Sequence, residues 1–482
     1  MENGEHQAIT IAESDSNQEL PVRSTNEIEE STNVASIIHM QRRLNEIRRE
    51  GIQNLKERQN AFICKVPQSL IEISSPRDIE REIVSIGPYH HSKDGVLEFE
   101  SYKWQFLHSL LSRTNQPHDV HLRQAMKELE REARTWYTEP IEMSSEQFIE
   151  MMMLDGCFII ELFQQVSESE DSVNANSLLF RKTWLIQILI RDLLKLENQL
   201  PFFVLERLFN LSIGNTSDLL SLQALKFFNL ALPRSLELLK NIKFHDLAKN
   251  HLLDLFHSSY LPCSISSCNS SNIQIRISPN LINLCTSSHG SQEYHPLSNQ
   301  SMPCVTRLRL AGIKFRPQKK INGSFLDINF HKGVLEIPPI TINDFTSTIL
   351  INCVALEQCS PQGSSTYFSE YIAFMSCLIS SGRDVTFLCD DGIITNFSYN
   401  DLQVAHLFRK LGEKVVFNIR GCYLSKQFRE VEAYYSSNWA TLRRTYFSSP
   451  WSTISVVSAS ALLALTAIQT ITAILSYKVH HS

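Results

Sequence analysis

Glycine is scarce in this chain, 15 of 482 residues. Glycine supplies the positive-φ corners of turn-rich β architectures, so its scarcity weights the fold toward helix. The 11 cysteines contain no C-x-x-C pair and are odd in number, which leaves out thioredoxin-like and zinc-ribbon spacing. Several lie inside apolar helical runs, such as Cys157 in LDGCFIIELF and Cys377 in YIAFMSCLI. There a thiol acts as a small hydrophobe, as expected of reduced structural cysteines. G-x-G-x-x-G, G-x-x-x-x-G-K-[ST], H-E-x-x-H and G-x-S-x-G are all missing, which argues against common nucleotide-driven and zinc chemistry but not against every enzyme. The first residues, MENGEHQAITIAESDSNQEL, show no basic segment followed by an apolar one, so no secretory signal peptide is expected. A surplus of positive charge is lacking too. The net charge is −6, and residues 1–36 alone carry −7 from eight acids and one arginine. The rest is close to neutral, with no electrostatic footprint for nucleic acid.

What is present is 43% hydrophobic and 20% charged residues, a globular composition. Near the C-terminus, Ile454 to Ser476 reads ISVVSASALLALTAIQTITAILS, with no charged side chain. At about 1.5 Å per residue this helix is roughly 34 Å long, enough for a hydrocarbon layer of about 30 Å. Trp451 and Tyr477 bracket it as interfacial aromatics do. Because only six residues follow, and Arg443 and Arg444 precede it, a tail anchor with a cytosolic body is expected. Glycosylation at any N-x-S/T acceptor of the body (Asn210, Asn215, Asn269, Asn299, Asn322, Asn396) would contradict that sidedness. The other apolar stretch, Trp184 to Leu205, carries Arg191, Asp192, Lys195 and Glu197. Inserting those charges would cost about 10 kcal/mol, so this stretch reads as a core helix.

Residues 1–36 read as a disordered acidic tail, and 37–62 as a basic amphipathic helix with Ile37, Met40, Leu44, Ile47, Ile52 and Leu55 on one face. Residues 63–445 form the globular domain, mainly α-helical, with a Ser/Asn/Cys-rich loop at 263–301 inside it. A small late β element is expected from RLRLAGIKF and SFLDINFHKGVLEIPPITI, with a turn at Lys332-Gly333. Helices resume at ILINCVALEQ, YFSEYIAFMSCLI and SYNDLQVAHLFRKLG, the last with capping-box spacing at Ser398 and Asp401. The fold class is therefore mainly α, a large helical body with a small α+β element, plus one C-terminal transmembrane helix at 454–476.

Several phrases carry a resemblance. VSIGPYHH (Val84 to His91) with Glu100 and Lys103, MLDGCFIIELF (Met153 to Phe163), LLKLENQLPFFVLERLF (Leu193 to Phe209) and HLLDLFH (His251 to His257) come first. RLRLAGIKF (Arg307 to Phe315), GVLEIPPITI (Gly333 to Ile342), CVALEQ (Cys353 to Gln358) and FLCDDGIITN (Phe387 to Asn396) follow. Together with the terminal apolar span they resemble the plant family called domain of unknown function 247, in order from Val66 to the end. The resemblance implies a plant protein with a C-terminal membrane helix. Some grass members are associated with pollen self-incompatibility, which implies recognition or signalling. It supplies no catalytic residue, cofactor or ligand to carry over.

The residues themselves offer few sites. Asp155 and Glu161 are six apart, about 240° around a helix, and Asp192 and Glu197 also diverge, so neither pair has local acid–base geometry. Glu197, Asn198 and Gln199 read as partners for helix ends and backbone near Pro201. His90 and His91 are adjacent, so in extended chain they point apart. His245, His251 and His257 recur every six residues and spread around a helix, while His251 and Asp254 can meet. Cys64 beside Lys65 is a candidate for a lowered thiol pKa. No catalytic, cofactor-binding or metal-ligating residue is assigned, and no cofactor is expected. The expected function is non-enzymatic recognition or regulation at a membrane through an unidentified protein partner, with possible homo-oligomers. The alternative is a tethered hydrolase-like enzyme of an unrecognised type using Asp155, Glu161, Glu197 or Glu357; two or more of those carboxylates converging in an open pocket would favour it, and dispersed carboxylates would favour recognition.

Overall fold

The computed structural model describes residues 38–45, 61–91, 97–114, 119–171, 183–214, 217–232, 234, 239, 242–244, 247–261, 302–318, 324–360, 365–397, 399–415, 419, 421–447 and 450–480. Two compact units divide the chain, Met1–Gln59 and Asn60–Ser482. In the first, residues 38–45 form a helix (α1) with every side chain exposed. The expected acidic tail, residues 37 and 46–60 of the basic helix and the 263–301 loop lie outside the described residues, while Ala61 and Phe62, expected to end that helix, are not helical.

The second unit is built around two helices that are buried on nearly all sides. The first is α6 (Ser145–Asp171), preceded by α2 (Gln68–Ile71), α3 (Pro76–Ile79), α4 (Leu97–Thr114) and α5 (Asp119–Thr135). From Phe148 to Phe163 only Glu150 is exposed. A helix with no polar face must be surrounded. Its neighbours are α4, α5, α8 (Phe202–Ser212) and α9 (Ser217–Asn229). Gly156 lets α8 approach closely, because a Cβ there would lie 2.3 Å from Leu208 Cδ1.

After α10 (Leu252–Ser258) and α11 (Val305–Leu310), the second hub is α12 (Asp344–Cys359), buried continuously from Phe345 to Glu357. It packs on α3, α7 (Thr183–Leu193), α10 and α13 (Tyr367–Leu378). One hydrophobic cluster runs through both hubs, from Ile63 to Val431. The chain then bends by 102° between α13 and α14 (Gly382–Asp390). It continues through α15 (Asp401–Lys414), α16 (Ser425–Tyr435), α17 (Asn438–Tyr446) and α18 (Pro450–His480).

The β element is small and late, as expected. β1 (Lys314–Pro317) pairs in parallel with β3 (Val334–Ile337), and β2 (Asn329–His331) pairs antiparallel with β3. The β2–β3 corner is the expected Lys332-Gly333 turn, with φ of 46° and 78°. Positive φ at both central residues fits the right-handed twist of the flanking strands. β4 (Ile340–Ile342) and β5 (Ile394–Asn396) form a separate parallel pair.

Four local expectations are corrected. Arg307 to Leu310 is helical, part of α11, and the strand begins only at Lys314. Four residues of alternating Arg and Leu cannot distinguish the two periods, and burial of Val305 and Leu308 at i,i+3 favours helix. Trp184 to Leu205 is two helices, because the chain leaves α7 after Leu193 and restarts at Phe202 behind Pro201. The cap of α15 is Asn400 with Gln403, two residues beyond Ser398. His251 is the N-cap of α10, so it shares no continuous helix with position 245, which lies outside the described residues. The terminal helix fits the expected class: Trp451–Ser476 has a mean hydropathy of 1.8, and its most apolar stretch is 0% buried.

Candidate functional site

Several polar residues singled out in the sequence converge on one irregular stretch of backbone, residues 80–87. The Asp192 carboxylate, at the end of α7, accepts the N–H groups of Glu82, Ile83 and Val84 at 2.9, 2.9 and 3.0 Å. Asn198 Oδ1 accepts the Ile86 N–H at 2.7 Å, and its amide donates to the Val84 and Asp192 carbonyls. Asp155, from α6, accepts the Gly87 N–H at 2.9 Å. Lys195 Nζ donates to the Glu80 carbonyl, and Lys103 Nζ, from α4, to the Ser85 carbonyl, both at 2.6 Å. Buried backbone outside helices and sheets must find its partners elsewhere. Here side chains of α4, α6 and the α7–α8 turn supply them.

Charges are matched within this ladder. Lys103 is fully buried and pairs with Asp155 at 2.6 Å and with Glu100. Burial pushes the Lys103 ammonium down, yet the two carboxylates outweigh it and lift its pKa above the ordinary lysine range. Burial raises the Asp155 carboxyl, opposed by Lys103 and the Gly87 N–H. Lys195 and Asp192 pair at 2.9 Å, both without exposed surface. Gly87 has φ of +74°, and its backbone approaches so near that a Cβ would sit 2.4 Å from the Gln199 carbonyl oxygen. Gln199 donates back to the Leu193 and Lys195 carbonyls, which end α7. This is the helix-end role expected for it.

The remaining candidates have separate partners. Glu197 accepts the Val66 N–H at 2.9 Å and faces His90 Nε2 at 3.5 Å. Glu161 pairs with Arg113 and accepts from Gln165, and burial raises its carboxyl. Glu357 accepts the Phe368 and Ser369 N–H groups at 2.9 and 2.7 Å, at the start of α13, and contacts His257 Nε2 at 2.7 Å. A carboxylate on the first free amides of a helix is held by its dipole. Asp155, Glu161, Glu197 and Glu357 thus have four different sets of partners, three of them using backbone N–H groups. His251 Nδ1 accepts the Asp254 N–H at 3.2 Å, and burial lowers its pKa from the ordinary 6.5 to about 4. Cys64 does have a lowered thiol pKa, chiefly because the Cys359 thiol hydrogen-bonds to it, while Cys359 is pushed up. Among the described residues no group of three or more His, Cys, Asp or Glu is placed to hold a metal ion.

An open cleft of about 610 Å³ lies elsewhere, where α3, α12, α14 and α15 meet. Asp78, Ser347 and Tyr399 line it, with His406, Arg409 and Lys410 contributed by α15. Asp78 is the capping-box acid of α3, receiving the Ser75 N–H and the Thr348 hydroxyl, and burial raises its pKa. Burial and the neighbouring Asp344 push Tyr399 up to about 12. At neutral pH the phenol is therefore a hydrogen-bond donor rather than a base. None of the four candidate carboxylates lines this cleft. Sequence reasoning missed it because its walls come from four segments far apart in the chain. The one local signal was the Ser75-x-x-Asp78 box. The cleft's lining mixes hydroxyls, amides, a carboxylate, an imidazole and cations.

A helical body closed by a side-chain ladder, with a cleft on one flank and an apolar C-terminal helix, is the class of protein these observations define. The chain belongs to a plant protein family of unknown function, whose model matches residues 63–465. It is similar to UPF0481 protein At3g47200 of Arabidopsis thaliana, 32% identical over 437 residues, covering 87% of each chain. It is also similar to the putative UPF0481 protein At3g02645 of the same plant, 24% identical over 450 residues, covering 78% of this chain and 82% of the relative. No solved structure matches the chain significantly.

Proposed function

We propose that this protein is a membrane-anchored recognition or regulatory protein that acts through protein–protein contacts rather than catalysis. The observation that carries this reading is the use made of its buried acids. Asp155, Asp192, Glu197 and Glu357 are taken up as acceptors for backbone N–H groups, a role that ties them to the fold rather than to a shared pocket. The hydrolase alternative needs two carboxylates converging in an open pocket, and the observed geometry gives that alternative no support. The α15 flank of the cleft offers His406, Arg409 and Lys410 to an acidic partner segment. Anchoring through Ile454–Ser476 raises the effective concentration of weak contacts at a surface. The body is on the cytosolic side in this reading.

Proximity labelling in plant membranes tests it, using the wild-type chain, the charge reversal R409E/K410E and a deletion of residues 1–60. Partners lost on charge reversal are expected. A partner set unchanged by both alterations sinks the recognition surface. Resistance to alkaline carbonate extraction tests the anchor separately, and a glycan on Asn210 or Asn396 would place the body on the other side.

A further inference from the structure

Helix α17 does almost nothing for the core. Of its nine residues only Ala440 is buried. Trp439 is 63% exposed, Tyr446 51% and Leu442 42%, and Phe447 and Trp451 beyond the helix are exposed as well. At about 100° per residue, Trp439, Leu442, Arg443 and Tyr446 fall within an arc of roughly 100°, with Ala440 turned toward the body. Large apolar residues in such a stripe mean an interaction site.

The stripe is held rigidly. Ser437 caps the helix by accepting the Ala440 N–H. Arg444 stacks on the Tyr435 ring, 3.8 Å from its centroid. Arg443 lies so close over Gly312 that a Cβ there would be 2.6 Å from its Nη1. α17 also packs on α11, where Arg307 and Leu310 are exposed, and β1 beyond it exposes Lys314 and Arg316, with Glu336 across from Arg316.

What covers the stripe follows from its place in the chain. Tyr446 and Pro450 are four residues apart, at most about 14 Å of extended chain. If α18 enters a bilayer near Trp451, α17 cannot leave that surface. We infer that α17 lies in the plane of the membrane interface, with Trp439, Leu442 and Tyr446 at the acyl–headgroup boundary. Amphipathic indole and phenol rings favour this layer, and a short helix with an apolar stripe lies flat in it. The interfacial helix gives the anchored body a fixed tilt, since α17 is clamped to it by Arg443 and Arg444. The inference rests on the anchoring proposed above.

The test uses the full chain reconstituted in phosphatidylcholine nanodiscs, with or without bromine on the upper acyl carbons. Trp451 is removed by W451F, and W451F is compared with W451F/W439F. Quenching by brominated lipid is expected in W451F and is lost when Trp439 is also replaced. L442E should reduce that quenching without changing carbonate resistance. Equal quenching in W451F and W451F/W439F overturns the inference. So does a Trp439 shielded from aqueous iodide yet untouched by bromine, the signature of a second copy or another protein on the stripe. Extraction of the chain by carbonate is a different failure, that of the anchor itself.

Discussion

His251 ties stability to pH in a way that can be worked through. The α10 helix needs its Nδ1 lone pair to accept the Asp254 N–H, and the imidazole has no exposed surface. Protonation removes that acceptor and buries a charge. In the folded chain the pKa is about 4, against an ordinary 6.5. Between those values the unfolded state binds the proton and the folded state does not, so stability falls as the pH is lowered through the window. A gap of about 2.5 pH units at 1.36 kcal/mol each is about 3 kcal/mol, fully lost only below about pH 4. Buried acids work in the opposite sense. Asp78, Asp155, Glu161 and Glu370 all have raised pKa values, bind protons more readily when folded, and stabilise on acidification. The decisive readout is therefore a difference between chains. H251N keeps a strong capping side chain and cannot titrate. Denaturant midpoints of the detergent-solubilised chain are measured at pH 7, 6, 5 and 4. The smaller side chain lowers stability at every pH, but the gap between wild type and H251N should narrow by about 3 kcal/mol toward pH 4. A constant gap across that range refutes the argument, as would a folded-state His251 titrating near 6.5 by NMR.

Two further outcomes follow from the ladder and a third from the Cys64–Cys359 pair. D192A should cost roughly 4–6 kcal/mol, since three charge-assisted backbone bonds go and Lys195 loses its nearest carboxylate. Adding K195M should restore part of that loss, and a double variant no more stable than D192A by urea titration would contradict it. G87A combines a left-handed backbone with a collision on the Gln199 carbonyl, so a loss of about 3 kcal/mol or more is expected in the same assay. Mild oxidation with diamide should join Cys64 to Cys359 before other pairs, read by peptide mapping, because their thiols are close enough to hydrogen-bond. A different first pair would overturn that placement.

Much of the fold was legible in residue patterns. The apolar phrases LDGCFIIELF and ILINCVALEQ announced helices that the structure buries in α6 and α12. The Lys332-Gly333 corner and Gln199 at the end of α7 were readable from local chemistry alone. Less legible were RLRL, where four residues fit both periods, and the break at Leu194–Pro201, hidden inside a run of apolar character. Of the cleft, only the capping box at Asp78 left a local trace. Lys103, an unremarkable lysine in α4, became a buried partner of Asp155 only through an approach across 52 positions.

By itself the sequence determined the helical class, the family phrases and the greasy final helix, since each depends on composition and short-range period. Tertiary structure alone decided what the acids do. Whether a carboxylate moves protons or holds backbone depends on which donors reach it, and Asp192 meets donors about 110 positions away. It also decided that Trp439, Leu442 and Tyr446 stay uncovered beside the apolar helix. Burial is a property of neighbours, and neighbours are set by the fold.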